Sequence, residues 1–269
     1  MFFTFAPSRV ERPELIDSLE PSNADFAASF ADVARVNRFL GGTAAVLRAL
    51  PPLIAAATPL PAGRPVRILD LATGSADIPR EIVRAVRAGR FGSECRVHIT
   101  ALDNHPKVLA LAQAQTPPDQ YPEIEIVSGD AFHLPYADNA FDITLCSLAF
   151  HHFGFDRCVA LLREMNRVSA VGLIVNDLLR DAIACGSIYL LTRLLRANRL
   201  TQHDAPLSVL RAYTRQEYKQ MARDAELPNA TVRLFPMYRA VISAHKALNA
   251  QGKKGIEQTT PHLSRLSGN

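Results

Sequence analysis

Between residues 66 and 243 the chain alternates short apolar runs with segments whose apolar residues recur at helical spacing, and this alternation constrains the fold most. Five runs predict buried strands at 66–71, 96–102, 124–127, 141–148 and 171–176. Two later runs, 231–235 and 238–243, predict closing antiparallel strands. Strands that alternate with helices indicate βαβ units. We therefore predict an α/β fold with a mostly parallel seven-stranded sheet and helices on both faces.

The segments outside this alternation predict three further parts of the chain. Residues 1–62 show helical spacing that is interrupted at Gly41-Gly42 and again at Pro51-Pro52, and they predict a helical N-terminal lid. Residues 63–250 predict the main domain, with an apolar helical insertion at about 178–212. The polar, basic segment 251–269 predicts a disordered tail.

Composition argues against several classes of protein. Hydrophobic residues make up 48% and charged residues 21%, as in a globular domain. The net charge is only +4, and arginines such as Arg80 and Arg84 are spaced as on a solvated helix face, so we expect no nucleic-acid partner. The sequence has no run of 18 apolar residues, so we predict no membrane span. The four cysteines form no C-x-x-C pair, which predicts a reducing, cytoplasmic compartment and no metal site.

The clearest motif is the turn that follows the first predicted strand, in the sequence ILDLATGSAD at 68–77. An acidic residue ends the strand, and small residues then allow a ligand to approach the backbone closely. A dinucleotide-binding turn would need G-x-G-x-x-G, whereas this turn has one glycine. A carboxylate here suits a cationic ligand such as S-adenosylmethionine (SAM), although an ordinary strand–turn–helix is the alternative. The candidate ligand-binding residues of this turn are Asp70, Ala72, Thr73 and Gly74.

Polar residues also follow the second and third predicted strands. Asp103, with Asn104 beside it, could accept the two hydroxyls of a ribose. Asp103 is equally suited to cap the helix that Pro106 begins. Asp130, with Ala131, could accept a hydrogen bond from an adenine amino group. These residues come from successive strand ends, where α/β sheets bind ligands.

A fourth strand end, in the sequence FDITLCSLAFHHF at 141–153, also leads into polar residues. These four strand ends, in this order, resemble those of the class I SAM-dependent methyltransferases over residues 66–177. The sequence is most similar to the methyltransferases of ubiquinone and menaquinone biosynthesis and to related enzymes of polyketide tailoring. The resemblance implies a Rossmann-like domain that uses SAM as its cofactor. Asp70 and Gly74 would lie beside the methionine part of SAM, and Ser147 would lie under the cofactor.

The same resemblance assigns the nucleoside part of SAM to later residues. Asp103 would bind the ribose, with Asn104 as its substitute, and Asp130 with Ala131 would bind the adenine. The sequence departs from the family pattern at Ala76, where a glycine is usual.

Two histidines follow the fourth predicted strand and are the candidate catalytic residues. Histidine suits a general base near neutral pH, so His151 or His152 could take a proton from an acceptor hydroxyl or orient the acceptor. The alternative is that one caps the next helix and the other is packed or solvated. Asn176 and Asp177, at the end of the fifth predicted strand, are the next candidates. The polar cluster around His203 and Asp204 is more typical of a surface loop.

The sequence therefore predicts SAM-dependent methyl transfer to a small aromatic, quinone-like or polyketide acceptor. The paired histidines favour O-methylation, whereas the resemblance to the quinone enzymes implies C-methylation as the alternative. An NAD(P)-dependent oxidoreductase and a SAM-fold protein without activity are further alternatives. The apolar lid segments suit an apolar acceptor, and they would equally suit a homodimer contact.

Overall fold

The computed structural model describes residues 6–17, 22–57 and 63–246, so the predicted tail at 251–269 lies outside the described residues. The strands are β1 (Val66–Leu71), β2 (Val97–Asp103), β3 (Ile124–Ser128), β4 (Phe141–Ser147), β5 (Ser169–Leu178), β6 (Thr231–Phe235) and β7 (Arg239–His245). They form one seven-stranded sheet in the order β3-β2-β1-β4-β5-β7-β6. Strands β1 to β5 are parallel, β7 is antiparallel to β5, and β6 is antiparallel to β7. The predicted fold class is confirmed.

Helices cover both faces of the sheet, because each face buries its own apolar cluster. One cluster includes Leu161 and Tyr218, and the other includes Leu50 and Ile82. The helices are α1 (Asn23–Phe39), α2 (Gly42–Ala57), α3 (Asp77–Arg87), α4 (Pro106–Gln115), α5 (Phe155–Val168), α6 (Ala182–Leu194), α7 (Arg199–Arg211) and α8 (Arg215–Asp224).

The predicted boundary at Pro51-Pro52 is wrong, because α2 continues through both prolines. Each proline removes one helical hydrogen bond. The helix nevertheless packs on β5 and β7 and buries Leu50, Leu53 and Ile54, and this tertiary packing outweighs the local loss.

Helices α1 and α2 meet at Gly41, whose φ of +81° is in the left-handed region that glycine tolerates. The two helices bend by 58° at this break. In the described part of the chain no single helix is long and apolar enough to cross a membrane, and only this bent pair passes that test, by length and composition alone.

The predicted insertion at 178–212 consists of two packed helices, α6 and α7, that are separated at residues 195–198. Arg196 has a φ of +49°, and Asn198 caps α7 by accepting a hydrogen bond from the backbone N–H of Leu200. The expectation of a surface loop around His203 and Asp204 is wrong. Both residues lie within α7, and Asp204 is buried.

Candidate active site

A cavity of about 510 Å³ lies at the carboxyl ends of the central parallel strands. Helices α1, α6 and α7 contribute apolar side chains to its wall, such as Phe26, Ile188 and Val209. Seven predicted cofactor-binding residues and both predicted histidines line this one cavity: Asp70, Ala72, Thr73, Gly74, Asp103, Asn104, Ser147, His151 and His152. The topology thus brings together residues from three strand ends, those of β1, β2 and β4, as expected for parallel strands.

The turn after β1 holds a buried carboxylate that is only partly satisfied. Thr73 Oγ1 donates a hydrogen bond of 2.6 Å to Asp70 Oδ2. Asp70 Oδ1 has no hydrogen-bond partner among the described residues. Burial raises the pKa of Asp70 to about 8, and the nearby carboxylates of Asp77 and Asp103 act in the same direction. The free oxygen is suited to a cationic donor such as an ammonium group.

Gly74 provides the close approach that this turn needs. Its φ is +59°, and a Cβ at this position would lie 3.2 Å from the ring of Phe30 in α1. Ala72 and Ala76 also adopt positive φ, at +52° and +56°. Such strain in non-glycine residues persists where the surrounding structure holds it, typically at a ligand-binding site.

Asp103 joins the end of β2 to the turn after β1. Its Oδ2 accepts a hydrogen bond of 3.1 Å from the backbone N–H of Gly74, and its Oδ1 accepts one of 3.0 Å from the N–H of His105. Helix α4 is capped by His105, whose Nδ1 accepts from the N–H of Val108, so the structure does not make Asp103 the cap. Burial raises the pKa of Asp103, against the backbone donors that lower it.

Two predicted cofactor residues, Asp130 and Ala131, are not among the residues that line the cavity. The Asp130 carboxylate accepts a hydrogen bond from the N–H of Phe132 and lies 2.7 Å from Nδ1 of His133. The His133 contact, followed by the Phe132 N–H, lowers the pKa of Asp130. Their role in binding adenine stays a prediction.

At the end of β4, Ser147 accepts a hydrogen bond of 2.7 Å from the Asn176 side chain.

The prediction that Arg80 lies on a solvated helix face is wrong. It is buried and donates hydrogen bonds to the carbonyl of Ser75 and the hydroxyl of Thr116, because this end of α3 packs under the turn.

His151 is buried and is oriented by Asp177. Its Nδ1 lies 2.7 Å from Asp177 Oδ1, and its backbone N–H donates a hydrogen bond of 3.0 Å to Oδ2. Burial alone would raise the pKa of Asp177, but the charge and hydrogen bonds of His151 lower it overall. An ionised Asp177 accepts a hydrogen bond from Nδ1–H, and Nε2 is therefore the nitrogen of His151 that remains available.

His152 has a similar arrangement on the neighbouring ring. Its Nδ1 lies 2.9 Å from Asp17 Oδ1, and its Nε2 lies 3.9 Å from Glu14 Oε2. The two imidazole rings are 4.3 Å apart, and Nε2 of His151 lies 3.8 Å from Glu14 Oε1. Both histidine side chains therefore face one carboxylate inside the cavity.

The sequence alone does not indicate Glu14 and Asp17 as site residues, because they belong to no motif in residues 6–17. The structure binds this segment to α7: Asp204 accepts hydrogen bonds of 2.9 and 3.0 Å from the N–H groups of Leu15 and Ile16. Arg9 donates to the carbonyl oxygen of Arg211. Burial raises the pKa of Glu14 to about 7, because the nearby His152 and the Ser208 hydroxyl only partly offset its desolvation.

The sequence of this chain is similar to known methyltransferases over part of its length. A model of the methyltransferase domain family matches residues 69–174. A demethylmenaquinone methyltransferase of Thermotoga maritima is 34% identical over 104 residues, which are 39% of this chain and 39% of that protein. A ubiquinone/menaquinone biosynthesis C-methyltransferase of Methylobacterium nodulans is 35% identical over 109 residues, 40% of each chain. The chain thus aligns with about two fifths of the length of these relatives.

An O-methyltransferase family 2 protein from Planctomyces limnophilus, solved with apigenin, superposes with a TM-score of 0.57 and 18% identity. The superposition covers 85% of this chain and 63% of that one, and at this identity it shows the fold. The family match covers residues 69–174, and the sheet order and the turn after β1 are those of a class I SAM-dependent methyltransferase domain. SAM is the cofactor of this class, and the unpartnered oxygen of Asp70 and the cavity that Gly74 lines fit it.

Proposed function

We propose that this protein transfers a methyl group from SAM to a hydroxyl oxygen of a small aromatic, quinone-like or polyketide acceptor. The observation that carries the proposal is one cavity lined by two chemically different groups of residues. We assign Asp70, Gly74 and Asp103, from β1, the turn after it and β2, to a cofactor end, and His151 and His152, which follow β4, to an acceptor end. The mainly apolar wall between them suits an aromatic or aliphatic ligand.

At the first end, this chain's own residues would bind and orient the cofactor. SAM, when bound, supplies an electrophilic methyl group. The free oxygen of Asp70 would accept from its ammonium group, and Asp103 would accept from its ribose hydroxyls. Holding two reactants in line contributes much of the acceleration in such a transfer.

At the second end, the histidines would prepare the acceptor oxygen. Asp177 fixes the ring of His151, so its available Nε2 is held in the cavity rather than rotating freely. A nitrogen atom held in this way can accept the hydroxyl proton or help to position the oxygen.

C-methylation of a quinone or polyketide ring is the second candidate. It is favoured by the quinone-biosynthesis relatives, one of which is described as a C-methyltransferase. The same cavity would then hold a phenol whose ring carbon, instead of its oxygen, faces the methyl group. The oxidoreductase alternative has no support in the turn after β1, which has a single glycine and a carboxylate.

The test is methyl transfer from methyl-labelled SAM to a panel of hydroxynaphthoquinones, alkylresorcinols and flavonoids. We expect at least one product that carries one extra methyl group, with the label on oxygen by NMR. A label on ring carbon would support the second candidate. SAM binding with no turnover on any acceptor would favour a protein without activity, and NADH binding without SAM binding would contradict both candidates.

The compartment and the assembly also stay proposals. A cytoplasmic location is supported by four free cysteines, of which Cys146 and Cys158 are buried. A homodimer is supported by the exposed apolar side chains of Ile183, Leu190 and Leu194 on the outer side of α6. Sedimentation of the protein at several concentrations tests the second point.

A further inference from the structure

Glu14, His151 and His152 form a compact group of ligand atoms, here called the metal-ligand cluster. One carboxylate oxygen and one nitrogen from each ring all lie within 4.8 Å of one another. Glu14 and His151 are buried, and His152 is 23% exposed on the cavity side. Nothing in the local sequence links Glu14 to the two histidines, because the tertiary structure alone brings them together.

Within this cluster the ring nitrogens and the carboxylate oxygens lie close together but form no hydrogen bonds with one another. His151 Nε2 and His152 Nε2 lie 3.8 and 3.9 Å from the two oxygens of Glu14, which is too long for hydrogen bonds. Two ligands of one zinc ion at tetrahedral angles would lie about 3.3–3.6 Å apart, given bond lengths of about 2.0–2.2 Å. The observed separations therefore need only a small contraction to hold an ion.

Both rings are oriented as metal-binding histidines are. Nδ1 of His151 is held by Asp177 at 2.7 Å, and Nδ1 of His152 is held by Asp17 at 2.9 Å. A carboxylate on one ring nitrogen fixes the proton there and directs the other nitrogen's lone pair toward the metal. The two rings achieve this with carboxylates from different parts of the chain, one in β5 and one before α1.

The charge around the cluster also suits a divalent cation. Besides Glu14, the carboxylates of Asp17, Asp177 and Asp204 lie in this region, and Arg211 Nε lies 3.6 Å from Glu14 Oε1. The donors of Arg211 are directed to main-chain oxygens of residues 12, 151 and 152. Glu14 Oε1 itself is buried and has no hydrogen-bond partner in the described part of the chain.

We propose that Glu14, His151 and His152 bind one divalent metal ion of the zinc class. Two histidines and one carboxylate are a ligand set that leaves coordination positions open. The open positions would face the cavity and take an oxygen of the acceptor. With an ion bound, Nε2 of His151 would be a ligand instead of a proton acceptor, and His151 would position the acceptor oxygen through the metal. This deepens the proposed function and rests on it for the acceptor. A site of this kind selects acceptors with a hydroxyl, or two neighbouring oxygens, on an aromatic ring.

The test uses the full chain and metal alone, with neither SAM nor acceptor. Chelator-treated protein is titrated with Co²⁺, and visible absorption and bound metal per chain are measured. We expect one tightly bound ion and a Co²⁺ spectrum typical of nitrogen and oxygen ligands, both lost in Glu14→Gln and His152→Ala. Asp17→Asn should weaken the affinity about 10–100-fold, as expected when a ligand's supporting carboxylate is changed.

His133→Ala is the matched control, because this histidine is exposed and pairs with Asp130 away from the cavity. It should leave the spectrum and the stoichiometry unchanged. The proposal would be overturned if no ion binds, or if Glu14→Gln and His152→Ala both leave ion binding intact. The three side chains would then share a proton or a water molecule instead of a metal ion. Because the readout is metal binding, such a result leaves methyl transfer standing, and a lack of methyl transfer leaves the metal site standing.

Discussion

At the scale of single residues, the most informative group is Asp70, which is buried without a counter-charge. Its Oδ1 has no hydrogen-bond partner among the described residues, and Asp70 is one of the residues that line the cavity. Burial raises its pKa to about 8 from an ordinary value of 3.8, so the folded protein retains a proton that the unfolded chain releases. A cationic ligand would supply the positive charge that the residues around Asp70 do not provide.

The first prediction is that Asp70→Asn raises the free energy of unfolding near neutral pH and weakens SAM binding. The raised pKa means that the stabilising effect of the proton is complete below about pH 3.8 and is lost as the pH rises through about 8. Each pH unit in this range lowers the free energy of unfolding by up to about 1.4 kcal/mol. Asp70→Asn should lack this decline in urea unfolding from pH 5 to 8.5, while its SAM affinity falls.

Asp77 and Asp103 face Asp70 and also have raised pKa values, so some decline should remain in the variant. The exposed Asp119→Asn serves as the control and should follow the unmodified protein. Equal pH dependence in Asp70→Asn and the unmodified protein would contradict the role of Asp70.

A second prediction concerns Asp103. If its carboxylate binds the ribose, Asp103→Ala should weaken SAM binding by about 1.5–3 kcal/mol, the range for a hydrogen bond to a charged group. That is roughly a tenfold to hundredfold rise in Kd. Because Asp103 also accepts from the N–H of Gly74, Asp103→Asn separates the two effects by keeping one acceptor oxygen. An unchanged Kd by calorimetry in both variants would move the ribose contact to Asn104.

The third prediction concerns His151. Its loss removes the Nε2 that faces the acceptor side of the cavity, so His151→Ala should lower kcat by about 10²-fold or more. SAM affinity should change little, since Asp70 and Asp103 are untouched. Calorimetry with SAM on the same sample reports whether the variant is folded. A kcat within about threefold of the unmodified protein, with SAM binding intact, would make His151 a structural residue, since acid–base catalysis is worth more.

At the scale of secondary-structure elements, residues 6–17 join the site to α7. The segment carries Glu14 and Asp17, and its main chain is anchored by the carboxylate of Asp204. Two charged hydrogen bonds to a buried carboxylate contribute roughly 1.5–3 kcal/mol each. The acceptor end of the cavity therefore depends on contacts far from the sheet.

The fourth prediction is that Asp204→Ala releases this segment. Hydrogen exchange at residues 6–17 should become faster, and kcat should fall, because Glu14 and Asp17 leave the histidines. SAM affinity should stay within about twofold, since Asp204 makes no contact with the turn after β1 in the described hydrogen bonds. Unchanged exchange in this segment would show that other contacts hold it.

At the scale of the whole molecule, the cavity joins the sheet to α1, α6 and α7, so a ligand bound there should stabilise the entire fold. A ligand at 100 times its Kd adds about 2.7 kcal/mol to the free energy of unfolding. For a domain of this size that is a rise in Tm of about 5–10 °C.

The fifth prediction is that SAM raises Tm by this amount in thermal unfolding followed by circular dichroism. Asp70→Asn should show a much smaller rise at the same SAM concentration, while Asp119→Asn should show the full rise. A Tm that does not depend on SAM concentration would contradict binding in this cavity.

The sequence by itself determined the strands and the residues that form the turn after β1. Apolar runs of the right length become buried parallel strands, and Asp70, Thr73 and Gly74 lie within one local turn whose chemistry depends on neighbours in the chain. Parallel strands end at one edge of a sheet, which is why Asp103 and the histidines could be assigned to the same site as Asp70.

Only the tertiary structure decided which residues meet His151 and His152 in the cavity and where local helix preferences fail. Glu14 meets His151 through packing of residues 6–17 against α7, and no local pattern encodes a contact between such distant segments. Helix α2 passes through Pro51 and Pro52 because burial against the sheet outweighs the lost hydrogen bonds. Local preference fixes a turn or a strand, whereas long-range packing decides which side chains share a cavity and which prolines a helix tolerates.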